Sequence, residues 1–193
     1  GSTAITVEIK DGGISFIRVS DNGCGIEKTE IRKAFMRHAT SKISSADDLH
    51  SLHSLGFRGE ALSSISAVSQ VELITKTHED LTGIRVLMEG PAETDFDEIG
   101  APSGTTIIVR NLFFNVPVRK KFLKQPATEG GYIADLMEHL ALSNPQISFQ
   151  FVQNGTVKFN TSGNGNLKQI IYSIYGKDVA DALVKDKKDN TGR

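Results

Sequence analysis

Cysteine is almost missing from this chain: among 193 residues there is one, Cys24. That excludes an internal disulfide and fits a reducing compartment. Charge of one sign is not in excess either, with 22 Lys and Arg against 23 Asp and Glu for a formal net of -1. Nothing therefore draws the whole molecule towards nucleic acid or membrane, and any such contact must come from a local patch. No apolar run approaches the ~20 residues that span a bilayer. No secretory leader, internal repeat or low-complexity tract is visible. A soluble, intracellular protein is expected, comprising one large domain or one domain and part of another, since domains commonly hold about 100 to 200 residues.

What the sequence does have is a turn rich in glycine, Asp21-Asn22-Gly23-Cys24-Gly25-Ile26. It closes an apolar run from Ile14 to Val19 that reads as a strand, and it precedes a helical pattern that starts near Thr29, a candidate N-cap. Two glycines one residue apart let a backbone come within contact of a flat ligand, and an aspartate at the strand end accepts hydrogen bonds but cannot donate them. A purine amino group is one matching donor. Taken alone, the same pattern is also that of an Asx-Gly turn that only reverses the chain.

Around this turn the rest falls into alternating elements. Ile5, Val7 and Ile9 alternate with polar residues ahead of Asp11-Gly12-Gly13, which predicts a hairpin. Ala39 to Leu55 lacks apolar periodicity and reads as a mobile loop, and Leu55-Gly56-Phe57-Arg58-Gly59-Glu60-Ala61-Leu62 runs into a helix whose glycine-rich mouth suits a polyphosphate. An ordinary helix start would look similar. Strands are expected at Val71 to Thr77, Ile84 to Met88 and Thr105 to Val109 as an antiparallel meander, with a polar, acidic linker from Glu89 to Ser103. A helix from about Tyr132 to Leu142, a hairpin turned on Asn154-Gly155 and a helix from Leu167 to Ile174 follow. The layering is α+β, with strands in one sheet and helices on one face. The domain reading is 1–162 as one domain and 163–193 as a linker and first helix of an incomplete second one.

The motifs, in this order, resemble those of the DNA mismatch repair protein MutL family: the turn at Asp21, Arg37-His38-Ala39-Thr40-Ser41-Lys42-Ile43, Leu55 to Leu62, Gly104-Thr105, and Asn111 to Leu123. The resemblance implies a Bergerat-type (GHKL) α/β sandwich with a mixed, mostly antiparallel sheet. It implies an N-terminal ATPase region whose ATP-driven closure and dimerisation couple mismatch recognition to strand processing. Carried over residue by residue, Asp21 would accept from the adenine amino group, Gly23, Gly25 and Ile26 would let the base approach, and Thr105 would support that contact directly or through water. Thr40, Ser41 and Lys42 would belong to a lid. The backbone from Gly56 through Phe57, Arg58, Gly59, Glu60 and Ala61 to Leu62 would hold the phosphates. The implied cofactors are ATP and magnesium. The implied partners are ATP, DNA, a mismatch-recognition protein, strand-processing enzymes and a second MutL-type chain in a homodimer or heterodimer, with no membrane. The implied setting is the bacterial cytoplasm and nucleoid, or the nucleus of a eukaryote.

One departure bears on activity. The family's first motif, a helix carrying the glutamate that activates water and the asparagine that holds magnesium, has no counterpart before Thr3. The chain as given is therefore expected to bind nucleotide weakly and not to turn it over. Two other readings stay open. One is a nucleic-acid or protein interaction fragment without nucleotide chemistry, with Arg119, Lys120, Lys121 and Lys124 beside Phe122 as candidate DNA contacts or simply a solvated face. The other is a gyrase-like or Hsp90-like enzyme, which would share the first turn but not Gly56 to Leu62.

Overall fold

The computed structural model describes residues 1–36 and 60–182. In chain order the strands and helices are β1 (Ala4–Lys10), β2 (Phe16–Asp21), α1 (Lys28–Ala34), α2 (Ala61–Ser66), β3 (Gln70–Lys76), β4 (Gly83–Glu89) and β5 (Ala92–Ile99). They continue with β6 (Gly104–Arg110), α3 (Pro117–Lys120), α4 (Pro126–Ser143), β7 (Ser148–Gln153), β8 (Thr156–Asn160) and α5 (Leu167–Tyr175). The chain divides into two compact units, one made of Gly1–Gly23 with the chain from Leu123 on, the other of Cys24–Phe122.

In the first unit the strand order is β2-β1-β7-β8. The expected hairpin is present: β1 and β2 pair antiparallel, with Val7 opposite Val19 and Ile9 opposite Ile17. Beside it β1 pairs parallel with β7, Val7 lying opposite Phe151. The β7–β8 turn falls on Asn154 and Gly155, both with left-handed φ (51° and 77°), which suits the right-handed twist of a tight hairpin. Alternation turns Val7, Ile9, Phe149, Phe151 and Phe159 to one face, where Met137 and Ala141 of α4 and Ile170 of α5 cover them. Each large side chain removed from water in this way contributes about 1.5 to 3 kcal/mol. The helix from Leu167, read from sequence as opening a further domain, thus packs Ile170 into this same core. Helix α4 begins at Pro126, six residues before the expected start, with the proline in its first turn, where its missing N–H costs nothing.

The second unit has the order β5-β4-β3-β6, all antiparallel. Two expectations are corrected here. The stretch from Glu89 to Ser103 is not only a linker, because Ala92–Ile99 forms β5 on the edge of β4. Nor is the meander simple: β6 returns to pair with β3, Leu73 lying opposite Ile107, because β5 already occupies the far side of β4. Val71, Leu73, Ile84, Val86 and Met88 are buried, and so is Ile31 of α1. Glu27, not Thr29, stands at the N-cap of α1, and its side chain makes no cap bond. Ion pairs tie α1 to β5: Arg32 reaches Glu93 at 2.8 and 3.0 Å, and Lys28 reaches Glu98 at 2.6 Å. The Arg32 guanidinium also lies 4.2 Å from the centre of the Phe96 ring.

Candidate nucleotide-binding site

Asp21 is the last residue of β2, the place that sequence assigned to it. Its Oδ1 accepts from the Gly23 amide at 2.7 Å, so the Asx-Gly turn read as one alternative is present. The other carboxylate oxygen, Oδ2, has no partner among the described residues and keeps its capacity to accept. Asn22 explains its own place in the motif. Its Oδ1 takes the amides of Thr3 and Ala4, both at 2.9 Å, and its Nδ2 donates to Thr3 Oγ1, so that it fastens the start of β1.

Within the second unit, the Gly25-Ile26 backbone lies against the end of β3. Gly25 has φ +74°, and a Cβ built on it would lie 2.2 Å from the Lys76 carbonyl oxygen. Only glycine can stand there. Next to it the Ile26 amide donates to Thr75 Oγ1 at 2.9 Å. The Thr75 hydroxyl also donates to the Gly104 carbonyl at 3.1 Å and lies 3.1 Å from Thr105 Oγ1, its cross-strand partner. Ile26, Gly104 and Thr105 are thus joined through one buried hydroxyl. Ile26 and Thr75 further line a cavity of about 220 Å³ with Ile84, Asp80, Thr82 and the Lys28–Glu98 pair. A wider, shallower recess of about 350 Å³ lies in the first unit, lined by Asn160, Thr161 and Ser173 among others. It holds no predicted site residue, so its greater volume carries no weight beside the chemistry of the smaller cavity.

Sequence reasoning missed Thr75. Its signal was a polar residue at the inward position of an alternating strand, Val71-x-Leu73-x-Thr75, where burial demands a partner for the hydroxyl.

The remaining expected residues are placed only in part. Glu60, Ala61 and Leu62 stand at the start of α2, which begins at Ala61 with no side chain capping its first turn. Thr40, Ser41, Lys42, Gly56, Phe57, Arg58 and Gly59 lie outside the described residues, as does the loop from Ala39 to Leu55. Arg119 and Lys120 are exposed on α3 with Lys121 directly after it, and Phe122 is exposed beside them. Lys124 belongs to the other unit, where it donates to the Tyr132 hydroxyl at 2.6 Å. That hydrogen bond, aided by the nearby Glu129 carboxylate, raises the lysine's pKa above its ordinary value.

A family model described as histidine kinase-, DNA gyrase B-, and HSP90-like ATPase matches residues 1–102. Among curated proteins, the DNA mismatch repair protein MutL of Agathobacter rectalis is 63% identical over 187 residues, which is 97% of this chain and 29% of that protein. MutL of Caldanaerobacter subterraneus is 48% identical over 95% of this chain and 31% of its own length. The chain therefore spans about 30% of the length of these relatives. Among solved structures, the Aquifex aeolicus MutL ATPase domain complexed with ADP superposes with a TM-score of 0.73 at 30% identity, covering 90% of this chain and 61% of that one. An N-terminal domain of a DNA repair protein gives 0.74 at 27% identity, covering 91% and 52%. The chain belongs to the histidine kinase-, DNA gyrase B-, and HSP90-like ATPase family, and within it to the MutL group of DNA mismatch repair proteins.

Proposed function

We propose that this chain is the ATP-binding part of a mismatch repair protein and that it takes the nucleotide by its adenine end. The observation that carries the reading is the Ile26 amide held on Thr75, whose hydroxyl also meets Thr105, a few residues after the accepting carboxylate of Asp21 in sequence. Asp21 accepts from the adenine amino group through the oxygen that Gly23 leaves free. Gly23 and Gly25, bare of side chains, let the base lie close, Ile26 offers it an apolar surface, and Thr105 adds a second polar contact. The phosphates go to the backbone of Gly56 to Leu62, with Thr40, Ser41 and Lys42 closing over them. That ADP is bound in the Aquifex relative supports the choice of ligand.

Magnesium belongs to the proposal for the whole protein, where an asparagine and the nucleotide phosphates would hold it, and none of the contacts named above draws on it. Hydrolysis, dimerisation with a second MutL-type chain, and coupling to mismatch-recognition and strand-processing proteins belong to the proposal for the whole protein. So does DNA contact through Arg119, Lys120 and Lys121, with Lys124 the weakest member because Tyr132 already holds it. The setting that fits the bacterial relatives is the cytoplasm, beside the nucleoid. No helix of the described residues is long and apolar enough to cross a membrane.

Calorimetric titration with ATP tests the adenine assignment in the full-length protein. Asp21→Asn keeps the size of the side chain but can present a donor to the adenine amino group. A hydrogen bond to a charged group is worth roughly 1.5 to 3 kcal/mol, so affinity falls about ten- to a hundredfold. Unchanged affinity in a variant with a native circular dichroism spectrum overturns the role of Asp21.

A further inference from the structure

Thr75 has only 1% of its surface exposed, yet its hydroxyl meets three polar groups. A hydroxyl carries one proton and two lone pairs. The Ile26 amide can only donate, so it takes one lone pair. The Gly104 carbonyl can only accept, so it takes the proton. What remains for Thr105 is the second lone pair. Thr105 must then give its own proton to Thr75 across the 3.1 Å between them, and its oxygen turns lone pairs alone towards a ligand.

We propose that Thr75 is a positioning residue that sets base specificity: by fixing the direction of the Thr105 hydrogen bond it makes the site an acceptor, which favours a 6-aminopurine nucleotide over a 6-oxopurine one. The inference rests on the proposed role of Thr105 against adenine. Both routes of contact give the same sign. In a direct contact the 6-amino group donates to Thr105, whereas a 6-oxo group would bring lone pair against lone pair. Through one water, the water gives one proton to Thr105 and the other to ring N1. That nitrogen accepts in a 6-aminopurine but carries a hydrogen in a 6-oxopurine. Thr75 is buried and touches no base; it acts through its neighbour.

The test is equilibrium titration of the full-length protein with ATP and with inosine triphosphate, which differs in its 6-oxo group and protonated N1. The unchanged protein prefers ATP. Thr75→Val keeps the shape of the side chain but frees the Thr105 proton to turn towards a 6-oxo group. The preference for ATP then falls roughly three- to tenfold, about the worth of one neutral hydrogen bond. Thr75→Ser retains the hydroxyl and with it the preference. A folded valine variant that keeps the full preference overturns the proposal, as does a serine variant that loses as much as valine. Should valine not fold, Thr75→Cys, whose thiol is a poor hydrogen-bonding group, is measured instead with the same expected fall and the same overturning result. Failure of the unchanged protein to bind ATP overturns the nucleotide-binding reading itself, and this inference with it. Binding with preference that the valine or cysteine variant preserves overturns this inference alone.

Discussion

Gly25 and Gly155 both hold a left-handed backbone, at φ +74° and +77°, but only Gly25 has a neighbour in the way. Alanine at Gly155 meets nothing within 4 Å and carries only the conformational cost of about 1 to 2 kcal/mol. Alanine at Gly25 carries that cost and also collides with the Lys76 carbonyl, so the loop must lift and the Ile26 amide must leave Thr75. An unpaired buried group adds about 1 to 3 kcal/mol. Denaturant unfolding should therefore show a larger loss for Gly25→Ala than for Gly155→Ala, on the order of 3 kcal/mol against 1 to 2. Equal losses would mean that the loop is not pinned to β3. This contrast also marks how far the site could be read from sequence. The glycines, Asp21 and Thr105 were legible because each belongs to a short motif. Thr75 was not, because a threonine in a strand is ordinary and its importance arises only when β6 brings Gly104 and Thr105 beside it.

Among the elements, β1, β2, β7 and β8 announced themselves by alternation and by the turn residues between them. β5 did not. Its sequence, AETDFDEI, carries carboxylates at Glu93, Asp95, Asp97 and Glu98, a composition depleted in strands. What makes it a strand comes from outside: Arg85 answers Asp95 and Asp97, Arg32 answers Glu93, and Lys28 answers Glu98. None of those partners can be paired with it by reading along the chain. The hydrogen bond from Arg32 is the main cause that holds Glu93 below the ordinary carboxylate range, and the bond from Lys28 does the same for Glu98. Because the folded values are the lower ones, the contribution of these pairs is fully present above the ordinary carboxylate pKa of about 4 and is lost as pH falls through the folded values. Both pairs are largely exposed, so the effect is small and screened by salt. Hydrogen exchange across Lys28–Ala34, corrected for intrinsic rates, should hold steady from neutral pH to about 5, rise below about 4, and rise at neutral pH in ~1 M salt. Insensitivity to both acid and salt would show that Ile31 alone seats the helix.

For the molecule as a whole, the pairing of β1 with β7 has the widest reach, joining Ala4 to Ser148. No local signal foretells it, since β1 already has a partner in β2. Such a contact must close a long loop before it is rewarded, which slows folding. In pulse-labelled refolding, the amides of Val7 and Ile9 should gain lasting protection no earlier than those of Phe149 and Phe151. Protection of the hairpin well ahead of β7 would show that β1 and β2 hold by themselves. Phe151, fully buried where β1, β7, β8 and both long helices meet, should cost about 3 to 5 kcal/mol on replacement by alanine, read from the shift in the denaturant midpoint. The acidity of β5 matters at this scale too. It stands at the outer edge of its strands, with β4 on one side and none of the described strands on the other. A bare strand edge invites another molecule to add a strand of its own, the first step towards aggregates. This edge carries four carboxylates and the Lys28, Arg32 and Arg85 cations that answer them, and a strand added there would have to strip water from those charges. The composition that hides the strand from a reader of the sequence thus also works against copies of the protein joining along it.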